Sequence, residues 1–235
     1  MQDRYAGDIG DYVKLALLRR LAEGRTLGLA WYRYPDEGHN ADGNHTAYLD
    51  RPEVWRALDP ALFDALGQVV SVGRSIAALE REAIAAEASH RHPLDTSDIA
   101  SADRPGWRSG WFQGVLGDMA GQEIVFADPD NGLVDDDPNR RRVKTFGKSI
   151  PLEEARSLAE GRVAVIYHHN TRRKGGHTAE VSHWLEQFGS GALAVRANAW
   201  SCRTFFILNP DEEIRQRAAA FARDWRNHRV SLQTE

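Results

Sequence analysis

The sequence predicts a three-layer α/β sandwich. Its sheet would be mostly parallel, with helices on both faces and an antiparallel hairpin at the C-terminal end. Two observations predict this. Short apolar runs alternate with helix-patterned segments along most of the chain. The last two apolar runs, residues 192–197 and 204–208, have no helix between them. A connection that short cannot make a parallel crossover, so the pair should run antiparallel. The size agrees: 235 residues, 42% hydrophobic and 27% charged, suit one domain with a sizeable core.

Residues 11–23 read as the first helix, because Val13, Leu17 and Leu21 recur every four residues, Leu18 widens the face and Gly24 supplies the stop. Residues 26–34 (TLGLAWYRY) read as a buried strand, followed by a polar, glycine-rich loop over 35–48. Asp59 and Pro60 open a short helix as cap and first residue. Residues 68–72 read as a strand, and residues 75–88, rich in Ala, Glu and Ile, as a helix. A mixed loop over 90–105 holds His90 and His92, and residues 107–120 form a helix ending at Gly121. A short strand over 123–127 follows, then a helix over 151–160 with proline in its first turn and Gly161 after it. The remaining elements are a strand at 162–167 (RVAVIY), a helix at 178–188, the two hairpin strands and a helix at 211–227. This is a Rossmann-like layout, read as a single domain over 1–235, with residues around 73–121 as a candidate inserted helical and loop segment.

Composition narrows the function classes. No stretch approaches the roughly eighteen apolar residues of a membrane span, and the start, MQDRYAGDIGD, lacks a signal-peptide pattern. The cytoplasm is the expected compartment. A single cysteine, Cys202, excludes an internal disulfide framework and argues against a thiolate metal site. The net charge of −4 gives no global basic field, so a nucleic-acid or nucleotide partner needs a local patch. Two basic clusters follow strand ends: Arg140, Arg141, Arg142, Lys144 and Lys148, then Arg172, Arg173 and Lys174. Each alone reads as a solvated loop. Together, flanking one site, they make Lys144, Arg172 and Arg173 candidates for substrate phosphate. Trp107 and Trp111 lie one helical turn apart and read as packing partners, while Trp200 in the hairpin connection could mark an interface.

In open α/β sheets ligands bind at the carboxyl ends of the strands. Those ends are polar here: Tyr34-Pro35-Asp36-Glu37, Asp128-Pro129-Asp130-Asn131, His168-His169-Asn170 and Asn209-Pro210-Asp211. If the strands are parallel neighbours, carboxylates, imidazoles and amides converge on one rim. Asp-Pro-Asp-Asn-Gly is also a good turn sequence, which accounts for Pro129, Asn131 and Gly132 but not for an apolar strand ending in Asp128.

The order of these motifs resembles that of the stand-alone bacterial methyltransferases that modify adenine N6 in large-subunit ribosomal RNA. Their Gly-Asn-x-Ala-Asp-Val-x-Lys-His opening is matched by Gly7, Asp8, Ile9, Gly10, Asp11, Tyr12, Val13, Lys14 and Leu15. Their Asp-Pro-Pro-Tyr is matched by Asp128-Pro129-Asp130-Asn131, and later strands run into Ile166-Tyr167-His168 and Asn209-Pro210-Asp211. The resemblance implies S-adenosylmethionine as cofactor, with Lys14 helping to bind it, and Asp128 accepting from the target amino group. Tyr34 and Asp36 stand where Ala-Gly-x-Gly normally follows the first strand, and with Lys14 they are the candidate cofactor-binding residues. Asn131 replaces the base-stacking aromatic, and Asp130 replaces the second proline.

Three readings stand from sequence. One is a nucleotide- or nucleic-acid-directed methyltransferase with Asp128, Asp130, Asn131, His168 and His169 as catalytic candidates. Another is a phosphodiesterase or nuclease using Mg²⁺ or Mn²⁺ held by Asp128, Asp130 and His168. The third is a non-catalytic nucleotide- or partner-binding module. A nearby loop with His39, Asn40, Asp42, Asn44 and His45 is rich in ligand-type side chains.

Overall fold

The computed structural model describes residues 1–37 and 43–234. In chain order the helices and strands are α1 (Ile9–Leu21), β1 (Leu27–Ala30), α2 (Pro52–Trp55), α3 (Pro60–Val72), α4 (Ile76–Glu82), β2 (Ala88–His90), α5 (Arg104–Asp118), β3 (Ile124–Ala127) and β4 (Gly132–Val134). They continue with β5 (Ser149–Pro151), α6 (Leu152–Leu158), β6 (Val163–His169), α7 (Gly176–Phe188), β7 (Leu193–Ala197), β8 (Arg203–Leu208), α8 (Glu212–Asp224) and β9 (Val230–Thr234).

Local chemistry sets several boundaries. Asp8, Asp59, Ser75 and Asp211 each cap a helix by accepting from the backbone N–H three residues on. The strand expected at 68–72 is instead the last third of α3, which Pro60 opens: Leu62, Leu66 and Val69 form one buried stripe along the helix. The helix expected at 75–88 stops at Glu82, and Ala88–His90 become a strand. Residues 73–121 thus include an edge strand of the main sheet.

The main sheet has seven strands in the order β2-β1-β3-β6-β8-β7-β9. β2, β1, β3 and β6 are mutually parallel, and β8 lies antiparallel between β6 and β7. The expected antiparallel hairpin is therefore present. It inserts its second strand next to β6, and β9 extends the far edge against β7. Two apolar clusters separate along alternate strand residues, as the period of two requires. One joins Leu29, Phe126, Val165 and Phe205 to α1, α3, α4 and α8; the other joins Ala30, Val125, Ile166 and Phe206 to α5, α6 and α7. Each large apolar side chain so buried contributes roughly 1.5–3 kcal/mol. The result is a Rossmann-like sheet with helices on both faces. Among the described residues no helix is long and apolar enough to cross a membrane.

Candidate functional site

The sheet order brings the ends of β3 and β6 together, and a cavity of about 260 Å³ opens there. The loop after β3 lines it with Asp128, Asp130 and Asn131. The end of β6 adds Tyr167 and His169, and the start of β8 adds Arg203, which pairs with His169 in the antiparallel ladder. The fourth wall is the N-terminal end of α1 and its cap, with Asp8, Gly10, Asp11 and Lys14.

Lys14 is the electrostatic centre. Its Nζ lies 2.5 Å from Asp11 Oδ1 and 2.7 Å from Asp128 Oδ2, and all three side chains are buried. The ammonium also stands 5.3 Å from the Trp31 ring centroid. Burial alone would push the Lys14 pKa down, but Asp11 and Asp128 outweigh it and hold the ammonium above the usual lysine value. Burial raises both carboxylates, with Lys14 pulling each back. One cation therefore serves two carboxylates, and Asp11 is further anchored by the Gly7 N–H at 2.8 Å. Lys14 fixes Oδ2 of Asp128, so its other oxygen is the one available to a ligand.

Asp130 is already engaged. Its Oδ2 accepts from Gln2 at 2.6 Å and its Oδ1 lies 2.7 Å from the Met1 amino group. The same amino group donates to the Tyr32 carbonyl at 2.8 Å and the Asp128 carbonyl at 2.9 Å. Met1 and Gln2 thus fill the notch between the ends of β1 and β3. Arg203 is the opposite case. It is 4% exposed, and its Nε and Nη1 have no hydrogen-bond partner among the described residues.

The other expected site residues fall elsewhere. His168 is fully buried: the Leu133 N–H donates to its Nδ1 at 3.0 Å, which leaves the proton on Nε2, 3.2 Å from Glu180 Oε1. Burial would raise Glu180, but hydrogen bonds from His168 and Thr171 prevail and hold it down to about 2. With both ring nitrogens used, His168 does not join Asp128 and Asp130 as a metal ligand. Among the described residues no group of three His, Cys, Asp or Glu side chains is arranged to hold a metal ion. Tyr34 is buried under Lys148, whose Nζ lies 5.0 Å from its ring, and Asp36 is exposed; neither lines the cavity. Lys144, Arg172 and Arg173 are exposed outside it. Of the ligand-rich loop, His45 lines the cavity, while His39, Asn40 and Asp42 lie outside the described residues.

Sequence reasoning missed Asp11 and Arg203 as site residues. Asp11 had a signal in the repeated Gly-Asp of Gly7-Asp8-Ile9-Gly10-Asp11. Arg203 had one as the lone charge opening the apolar run RTFFIL.

The cavity tests the expected cofactor. The charged amino-acid end of S-adenosylmethionine carries a carboxylate and an ammonium, and the unpaired Arg203 with the neighbouring aspartates supplies the complementary groups. That end fits the donor set.

The chain matches no family model and no curated protein. Among solved structures it is similar to human methyltransferase-like protein 13 in complex with SAH, at 16% identity and a TM-score of 0.35, covering 92% of this chain and 90% of that one.

Proposed function

We propose that the protein transfers a methyl group from S-adenosylmethionine to an amino nitrogen of a nucleotide or nucleic acid. The observation that carries this reading is the place of Asp128. It directly follows β3, next to β1 in a sheet whose antiparallel β8 is inserted beside β6, and it lines the cavity that gathers Lys14, Asp11 and Arg203. The cofactor supplies an electrophilic methyl group when bound. Asp128 does the rest that a side chain can do: its free oxygen accepts an N–H of the target amine and aims the nitrogen lone pair, while Lys14 holds the other oxygen still. Its pKa, raised by burial, makes it a competent receiver for the proton that the amine gives up.

Calorimetry and radiolabel transfer test this. In buffer containing EDTA, S-adenosylmethionine is expected to bind wild type and Asp128→Asn alike, because Asp128 serves the amine rather than the donor. Transfer of a labelled methyl group to adenine nucleotides or RNA oligomers is expected in wild type and lost by about 100-fold or more in the variant. Absence of donor binding, together with Mn²⁺ binding that disappears in Asp128→Ala, would overturn the proposal in favour of a metal-dependent hydrolase.

A further inference from the structure

Arg203 and Asp8 meet over Gly10. A Cβ built on Gly10 would stand 2.8 Å from Asp8 Oδ1 and 3.1 Å from Arg203 Cζ. The two side chains carry opposite charges and flank one bare Cα, yet no ion pair joins them. Among the described residues, other charges of the cavity are matched: Lys14 with Asp11 and Asp128, and the Met1 amino group with Asp130. A guanidinium at 4% exposure whose Nε and Nη1 have no partner among the described residues is costly unless a ligand completes it.

We propose that Arg203 and Asp8 form a socket for a zwitterionic α-amino-acid group, with the ligand carboxylate on Arg203 and its ammonium on Asp8. A simple anion fits poorly, because Asp8, Asp11, Asp128 and Asp130 all face the cavity. A simple cation fits poorly too, because it leaves Arg203 unpaired. A zwitterion satisfies both groups at once, and a guanidinium holds a carboxylate through two parallel hydrogen bonds. Gly10 has a second role here. Any side chain at this position would occupy the space between Asp8 and Arg203. The socket deepens the methyl-transfer reading by assigning the cofactor's amino-acid end, but the chemistry is the same for a free amino acid, and the test separates the two sources.

Three probes suffice: S-adenosylmethionine, 5′-methylthioadenosine, which lacks the amino-acid group, and L-methionine. Binding is measured by calorimetry on wild type, Arg203→Gln and Gly10→Ala. S-adenosylmethionine is expected to bind wild type, and to weaken by about tenfold or more in both variants. Any binding of 5′-methylthioadenosine should be the same in all three proteins. The ligand-free melting temperature of Arg203→Gln should equal or exceed that of wild type, because an unpaired buried charge has been removed. Binding of L-methionine without either nucleoside would support the socket and overturn the methyl-transfer reading. Equal S-adenosylmethionine affinity in wild type and Arg203→Gln would overturn the socket and leave that reading intact. A melting temperature lowered in Arg203→Gln, with wild-type binding in Gly10→Ala, would mark Arg203 as structural and overturn the socket. Failure of all three probes to bind wild type would overturn both.

Discussion

Lys14 carries one positive charge between two buried carboxylates, and that ratio decides how the site responds to mutation. Removing the cation by Lys14→Met leaves Asp11 and Asp128 buried together. The expected cost is about 3–5 kcal/mol, read as a lowered urea midpoint. Removing one carboxylate by Asp128→Asn instead leaves a one-to-one pair, so stability at neutral pH should stay at or above that of wild type while the proposed methyl transfer is lost. A working residue, unlike a structural one, is expected to show this separation. The pH dependence has a definite sign. Asp11 and Asp128 are both held above their ordinary value of 3.8, chiefly by burial. A carboxyl that keeps its proton longer in the folded state adds stability below the ordinary value and loses it as pH rises through the folded one. Wild type should therefore lose stability relative to Asp128→Asn as pH climbs from about 4 towards neutrality. Urea midpoints at several pH values check this, and a gap that widens in wild type's favour would sink the explanation. Lys14 acts at the other end of the scale. Its raised pKa stabilises the fold below about 10.5 and ceases to do so as pH rises past the folded value.

At the scale of elements, β4 and β5 form a separate two-stranded parallel pair beside the main sheet. Gly132 opens β4 with φ +89°, and a Cβ there would lie 2.5 Å from both Cα and Nδ1 of His168. That close approach lets the Leu133 N–H reach the imidazole. Gly132→Ala combines a left-handed backbone with a backbone clash, so a loss of roughly 2–3 kcal/mol is expected in chemical denaturation. Wild-type stability in this variant would show that β4 can leave β6 without cost. The same pair shows what the sequence can reveal. β1, β3, β6, β7 and β8 are apolar runs buried on both faces, and such runs are legible wherever they occur. β2, β4 and β5 are three residues each, too short for any period to register. β9 alternates only partly and follows a left-handed Arg229, so it reads as a tail to α8. The rim location of Asp128 was legible because an apolar strand ending in a carboxylate needs a reason. The true partner of His168 was not. Glu180 lies on α7, and the contact depends on how that helix packs against the sheet.

At the scale of the whole molecule the net charge of −4 supplies no long-range pull on an anionic acceptor, so any nucleic-acid contact has to be local. The two basic clusters differ in how much charge they have left. In the first, Arg140 pairs with Asp137 at 3.9 Å, Arg141 with Glu153 and Lys148 with Glu37, which neutralises much of it. In the second, Arg172, Arg173 and Lys174 are exposed, and none forms an ion pair among the described residues. This loop begins three residues beyond His169, which lines the cavity. An acceptor strand that approaches Asp128 over this loop would meet this charge. If the acceptor is RNA, the three cations neutralise phosphates and release counterions, so the slope of log affinity against log salt should include their share. Replacing all three by alanine is expected to flatten that slope by about 2 for a single-stranded oligomer, at roughly 0.7 per phosphate contact. Replacing Arg140 and Arg141 should change it less, because their charge is already spent on Asp137 and Glu153. Fluorescence anisotropy with labelled oligoadenylate between 50 and 200 mM salt, about the range over which such slopes are read, decides between them. An unchanged slope in the 172–174 variant would show that nucleic acid does not approach over this loop, and would restrict the acceptor to a free nucleotide that enters the cavity without it.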